Sequence, residues 1–98
     1  MTEERRELFK KIIWDYTYTP EQVETIIQNE GMANEKIMMY RKILMSERWY
    51  NIMKILTNEE LREALSNDVI KTIWVKSLKT KYYHAQQILF RTTLPTAR

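Results

Sequence analysis

The chain has 98 residues, 44% apolar and 30% charged, with a formal net charge of +3. That is enough for one domain with one modest core. It has no cysteine, which excludes disulfides, thiolate metal sites and thiol nucleophiles.

One glycine and two prolines are few for a sheet-rich fold, whose turns consume both, so helices joined by short polar turns are expected. A single glycine also excludes the glycine-rich loops that cradle nucleotide phosphates. The opening MTEERRELFKK is highly charged and is no signal peptide. No stretch approaches the roughly 18 apolar residues of a membrane span. The expectation is a cytoplasmic chain without membrane association. Charge is uneven: −3 over residues 1–30, +1 over 31–65 and +5 over 66–98. The last third therefore suits an acidic protein surface or a phosphate backbone.

In chain order, Thr2 suits the cap of a first helix, with Glu3 and Glu4 complementing its positive end. Leu8 and Ile12 mark its apolar side, and Glu4, Arg5, Glu7 and Lys11 are expected to face water. Thr19-Pro20-Glu21-Gln22 combines an N-cap, a first-position proline and a capping box. Gly31 suits a left-handed cap, which sets a helix over about 20–30. Asn34-Glu35-Lys36 opens the next helix, which runs to about Met45. The stretch Ile37–Leu56 carries two apolar stripes, broken near Ser46 or Glu47, and is the expected centre of the fold. Thr57-Asn58-Glu59-Glu60 is a second capping box, for a helix over about 58–65. Ser66-Asn67-Asp68 caps a helix carrying Val69, Ile70, Ile73 and Trp74. Ser77-Leu78-Lys79-Thr80 reads as a turn or cap before a last helix with Tyr82 or Tyr83, Ala85, Ile88 and Leu89. Residues 91–98 read as a flexible tail beyond a single domain over 1–90. Helices this short are marginal alone. The expected fold is a compact all-α domain of about six or seven short helices around one core.

No catalytic constellation accompanies this pattern. His84 is the only histidine, and its surroundings are basic, so neither a metal site nor a triad is expected. Glu3/Glu4 and Glu59/Glu60 sit in first helical turns, where the helix dipole accounts for them. Ser46, Ser66 and Ser77 fall at caps or turns, where a hydroxyl serves the backbone. The reading is non-enzymatic, with no cofactor.

Two surfaces stand out. Trp14-Asp15-Tyr16 reads first as a core-closing turn, and second as an aromatic edge that a partner covers. Met38 and Met39, flanked by Ile37 and Tyr40, put one apolar residue outside the core stripe, available to a partner or to a second copy. The basic face comprises Lys71, Lys76, Lys79, Lys81, His84 and Arg91, interleaved with Trp74, Tyr82 and Tyr83. Helices over about 68–75 and 80–91 with a short turn between them read as a helix-turn-helix, with Gln86 or Gln87 reaching bases. The same face also suits docking on an acidic protein.

The ordered motifs resemble those of a family of small uncharacterised bacterial helical proteins. These are Ile12-Ile13-Trp14-Asp15-Tyr16, Thr19-Pro20-Glu21-Gln22, Tyr40-Arg41-Lys42-Ile43-Leu44, Trp49, Leu56-Thr57-Asn58-Glu59-Glu60-Leu61, Val69-Ile70-Lys71 and Lys76-Ser77-Leu78-Lys79-Thr80-Lys81-Tyr82. The family opens with an apolar pair, Trp-Asp-Tyr, and a helix begun by Ser/Thr-Pro-Glu-Glu. The resemblance covers roughly residues 8–90, with a shorter stretch after Gln28 here. Members are often encoded beside nucleotidyltransferase-type toxins of the abortive-infection class. The resemblance therefore implies an antitoxin or accessory partner of such a toxin, without catalytic residues. Trp14, Tyr16, Met38 and Met39 are the expected contacts, with Lys71, Lys76, Lys79, Lys81 and Arg91 for an acidic partner or nucleic acid. The alternatives are a DNA-binding regulator using 68–91 and a structural homodimer.

Overall fold

The computed structural model describes residues 1–15 and 17–93, with the backbone alone for 92 and 93. Tyr16 and residues 94–98 lie outside the described residues. The described residues form seven helices and no strand: α1 (Glu3–Ile12), α2 (Pro20–Gln28), α3 (Asn34–Ser46), α4 (Trp49–Ile55), α5 (Asn58–Ala64), α6 (Asn67–Ile70) and α7 (Lys76–Thr93). The all-α expectation holds. α3 packs against α1, α2, α4, α5 and α6, and α7 closes over α5 and α6. The central role read for Ile37–Leu56 thus falls to α3, whose Met39, Tyr40, Ile43 and Leu44 are buried.

The caps follow the sequence closely. Thr2 accepts from the Arg5 N–H, and Thr19–Gln22 and Thr57–Glu60 both close capping boxes. Gly31 has φ +81°, but α2 ends earlier, with Asn29 as its C-cap. The left-handed residue therefore serves the loop two positions beyond the cap.

Three corrections concern α6 and α7. α6 stops at Ile70, and the 73–75 segment is non-helical. Val69, Ile70 and Ile73 are buried, but Trp74 is 72% exposed. Ser77–Thr80 is not a turn: it lies in the first turns of α7, which continues through Thr93 into the stretch expected to be tail. Ser66 occupies the N-cap of α6, yet its hydroxyl makes no cap bond and is buried without a partner.

A fourth correction concerns charge. Arg5 does not face water but is 8% exposed, because positions 5, 8, 9 and 12 share the α1 stripe that enters the core. Its guanidinium donates to both Glu60 carboxylate oxygens at 2.8 and 2.7 Å, and its Nε donates to Glu24 Oε1 at 2.7 Å. Its edge also lies over Phe9, 5.0 Å from the ring centroid. Burial alone would push the Glu60 carboxyl up. Bonds from Arg5, from the Thr57 N–H and from Gln28, with the Arg5 charge, outweigh that and hold it below the usual carboxylate range. The same glutamate thus completes the α5 capping box and ties α5 to α1.

Side chains from one helix also finish the ends of others. Lys36 of α3 is buried; its ammonium donates to Asn29 O, to Gly31 O at 3.1 Å and to Glu63 Oε2 at 2.9 Å. The α2–α3 loop is thereby held to α5. The Tyr40 hydroxyl donates to the other Glu63 oxygen at 2.7 Å; burial, then that carboxylate, push the phenol pKa up. Tyr82 of α7 donates to Leu44 O at 2.7 Å. That carbonyl belongs to the last turn of α3, and the Arg48 N–H donates to the Glu47 carboxylate. Gln86 donates to Leu65 O at 2.7 Å and to Asn67 Oδ1 at 2.9 Å, across the α5–α6 junction.

Candidate protein-interaction surface

Successive helical residues rotate by about 100°, so Met38 and Met45 of α3 share one direction, with Arg41 on one side of it and Lys42 on the other. That direction is outward: all four side chains are half-buried, and Met38 and Met45 pack against the core from its edge. Arg41 turns toward the α6–α7 connection and stacks over Trp74, 5.5 Å from its ring centroid. Lys42 turns the opposite way and meets Asp15, 3.3 Å away, in the turn that follows α1. Trp14, the neighbour of Asp15, is 82% exposed. The outer face of α3 thus reaches one exposed indole directly, Trp74 through Arg41, and the turn that carries the other, Trp14, through the Lys42–Asp15 pair.

The exposure of Trp14 bears on the first of its two readings. Trp14 does not close the core, which Leu8, Phe9, Ile12 and Ile13 complete without it. Of the methionine pair, Met38 lies at the surface and Met39 is fully buried, so Met39 is a core residue and not a contact. Tyr16 lies outside the described residues. Trp74 was read as one of the aromatics interleaved with the basic residues of 68–91, not as a companion of Trp14, and Arg41 was not singled out.

The structure divides the basic residues instead of gathering them. Lys71 pairs with Asp68, 3.7 Å away. Lys79 and Lys81 are about 200° apart around α7 and point to opposite flanks. Lys76 and Arg91 lie on the exposed side of α7 between those flanks, with His84. The helix-turn-helix geometry does not form, because α6 has four residues and no turn interrupts 76–93. Gln86 is buried and committed to the backbone, and Tyr82 is fully buried, so neither reaches a ligand.

The remaining concave regions are shallow. One of about 440 Å³ lies between α1 and α4, where Glu4 and Glu47, two of its four carboxylates, pair with Lys54 and Lys11 at 3.1 and 3.4 Å. Among the described residues no group of three His, Cys, Asp or Glu side chains could hold a metal ion, and no helix is long and apolar enough to cross a membrane. Comparison with family models, with curated proteins and with solved structures finds no match.

Proposed function

We propose that this chain is a non-enzymatic protein-interaction module that binds its partner through the outer face of α3 and the two indoles beside it. The carrying observation is the exposure of Trp14 and Trp74 on a domain whose core is complete without them. Tryptophan is the side chain most enriched at the centres of interfaces. Covering one indole removes on the order of 150–200 Å² from water, about 4–5 kcal/mol before the costs of association. Arg41 beside Trp74, with Lys71 and Lys76 nearby in sequence, favours a partner whose apolar contact is rimmed by carboxylates. The resemblance to the bacterial family supplies the partner to test first, a nucleotidyltransferase-type toxin. The module would act on it by covering the active cleft or by holding it in place.

The test is co-expression with the genomic neighbour, followed by size-exclusion chromatography with light scattering. A stoichiometric complex is expected, weakened at least tenfold by the Trp14→Ala/Trp74→Ala double variant while thermal stability is nearly unchanged. A complex indifferent to both changes, or no complex, refutes the reading. The DNA-binding alternative rests on the exposed row of Lys76, His84 and Arg91 along α7. It predicts nucleic-acid binding that falls steeply with salt and is weakened by Lys76→Glu.

A further inference from the structure

A second surface lies away from the indoles, in the groove between α4 and α7. Trp49 and Met53 of α4 form one wall, and Ala85, Ile88 and Leu89 of α7 form the other. Positions 81, 85 and 88 follow one another up the same flank of α7, so the groove runs along the helix. Its volume is about 320 Å³, at the low end of the about 300–1,000 Å³ typical of ligand sites. That accommodates a few apolar side chains rather than a buried cofactor. The walls stay open to water: Ile88 is 46% exposed and Met53 is 49% exposed. Trp49 is anchored from behind by an edge-on contact with Tyr82, 6.0 Å between centroids, so the floor is rigid. Met53, one turn along the same wall, lets the groove fit different side chains.

The rim decides what fits. Lys81 and His84 are the polar side chains lining the groove, and no carboxylate lines it. Lys81 is exposed, and among the described residues it forms no ion pair; its ammonium lies 5.3 Å from the Tyr82 ring centroid. A second copy of this chain is a poor occupant for an electrostatic reason. An isologous contact sets a patch against itself, which brings the Lys81 ammonium groups together with no carboxylate from either groove to offset them. An apolar segment bearing carboxylates offsets that charge on arrival.

We infer that the α4–α7 groove is a docking site for an acidic amphipathic helix of a partner protein, with apolar residues at helical spacing on the floor and Asp or Glu beside Lys81 and His84. This site is independent of the interaction surface on α3. The chain then has two contact faces and can hold one partner at two points or bridge two partners.

The chain offers a direct probe, because its only tryptophans are Trp14, Trp49 and Trp74. In a Trp14→Phe/Trp74→Phe background, Trp49 is the sole indole reporter and the α3 surface has lost both indoles. The full-length variant is titrated with a synthetic helical peptide of about 16 residues, long enough to hold several turns. One peptide carries leucines at i, i+3, i+4 and i+7 flanked by glutamates; a second replaces those glutamates with lysines. Saturable quenching or a blue shift of Trp49 is expected with the acidic peptide, at roughly tenfold higher affinity than with the basic one. Lys81→Glu is expected to reverse that preference, and Ile88→Asp to weaken binding of the acidic peptide roughly tenfold or more. Both positions are exposed, and circular dichroism checks that each variant keeps its helices. Equal affinity for both peptides, or a preference that Lys81→Glu leaves in place, overturns the inference. So does a dimer by sedimentation that Ile88→Asp abolishes, or binding that appears only when residues 94–98 are removed. Failure of the α3 reading leaves this result untouched, because the reporter background lacks the α3 indoles from the start.

Discussion

Replacing Arg5 with methionine keeps the volume and apolar stem on the α1 stripe and removes only the guanidinium. The geometry makes the consequence asymmetric. Glu24 is partly exposed and can turn its carboxylate to water. Glu60 is buried and cannot, and it retains only the Thr57 N–H and the Gln28 amide as donors. The loss therefore falls on one buried carboxylate without its cation, a change that costs about 3–5 kcal/mol. A domain of this size is stable by about 5–15 kcal/mol in total, so the effect is roughly a fifth of the stability or more. Glu60→Gln is milder, about 1–3 kcal/mol, because Arg5 keeps Glu24 and still has an amide oxygen to donate to. The pH dependence follows from direction. The folded Glu60 carboxyl is held low, so its contribution is full above the unfolded value near 4.3 and is lost as pH falls through the lower folded value. In Arg5→Met, burial is no longer outweighed, the carboxyl moves up, and protonation relieves the variant. The gap between the two proteins is thus widest at neutrality and narrows as pH falls from the raised value of the variant through the lowered value of the parent protein. Urea unfolding of both at neutrality and at about pH 3.5 measures it. A cost under about 1 kcal/mol at neutrality, or a gap independent of pH, refutes the reasoning.

Tyr82→Phe keeps the ring against Trp49 but strips the donor from Leu44 O, and is expected to cost about 1–3 kcal/mol by chemical unfolding. Gly31→Ala meets no atom within 4 Å, so its cost is backbone alone, about 1–2 kcal/mol, with Gly31→Asn costing less; thermal melts of the pair check the order. Ser66→Ala removes a buried hydroxyl that bonds nothing, so it should be neutral or stabilising, against the usual loss of about 1 kcal/mol for an N-cap serine. A clear loss on melting would show that the hydroxyl has a bonding role.

What the sequence made legible was local. Thr2, Thr19 and Thr57 cap their helices with bonds three residues long, so spacing alone reveals them. The stripes of α1 and α3 were readable because each buries a face at helical spacing. Arg5, Lys36 and Glu60 were not readable as interior groups, because each is paired there with a side chain 19 or more residues away. A charged residue on an apolar stripe is the one sign they leave. The α6 boundary failed for a similar reason. Ile73 is apolar and buried, as a continuing helix would have it, yet the helix has ended and a turn and a non-helical segment carry Ile73 into the core. The interaction surface was half legible. Trp14 was visible as an unusual cluster, but the outer face of α3 became a site only when Arg41 and Lys42 reached in opposite directions to two distant segments.

That arrangement links the polar interior to the surface. α4, α5 and α6 have seven, seven and four residues, too short to persist alone in water. The α5–α6 junction, the loop after α2 and the last turn of α3 are completed by Gln86, Lys36 and Tyr82 from other helices. Several helices therefore depend on another for their last hydrogen bonds, which favours a single cooperative unit. The two indoles belong to the connections after α1 and after α6, the segments whose position depends most on that unit being whole. A partner that grips both indoles and α3 consequently binds the folded state alone, and its binding adds to stability by mass action.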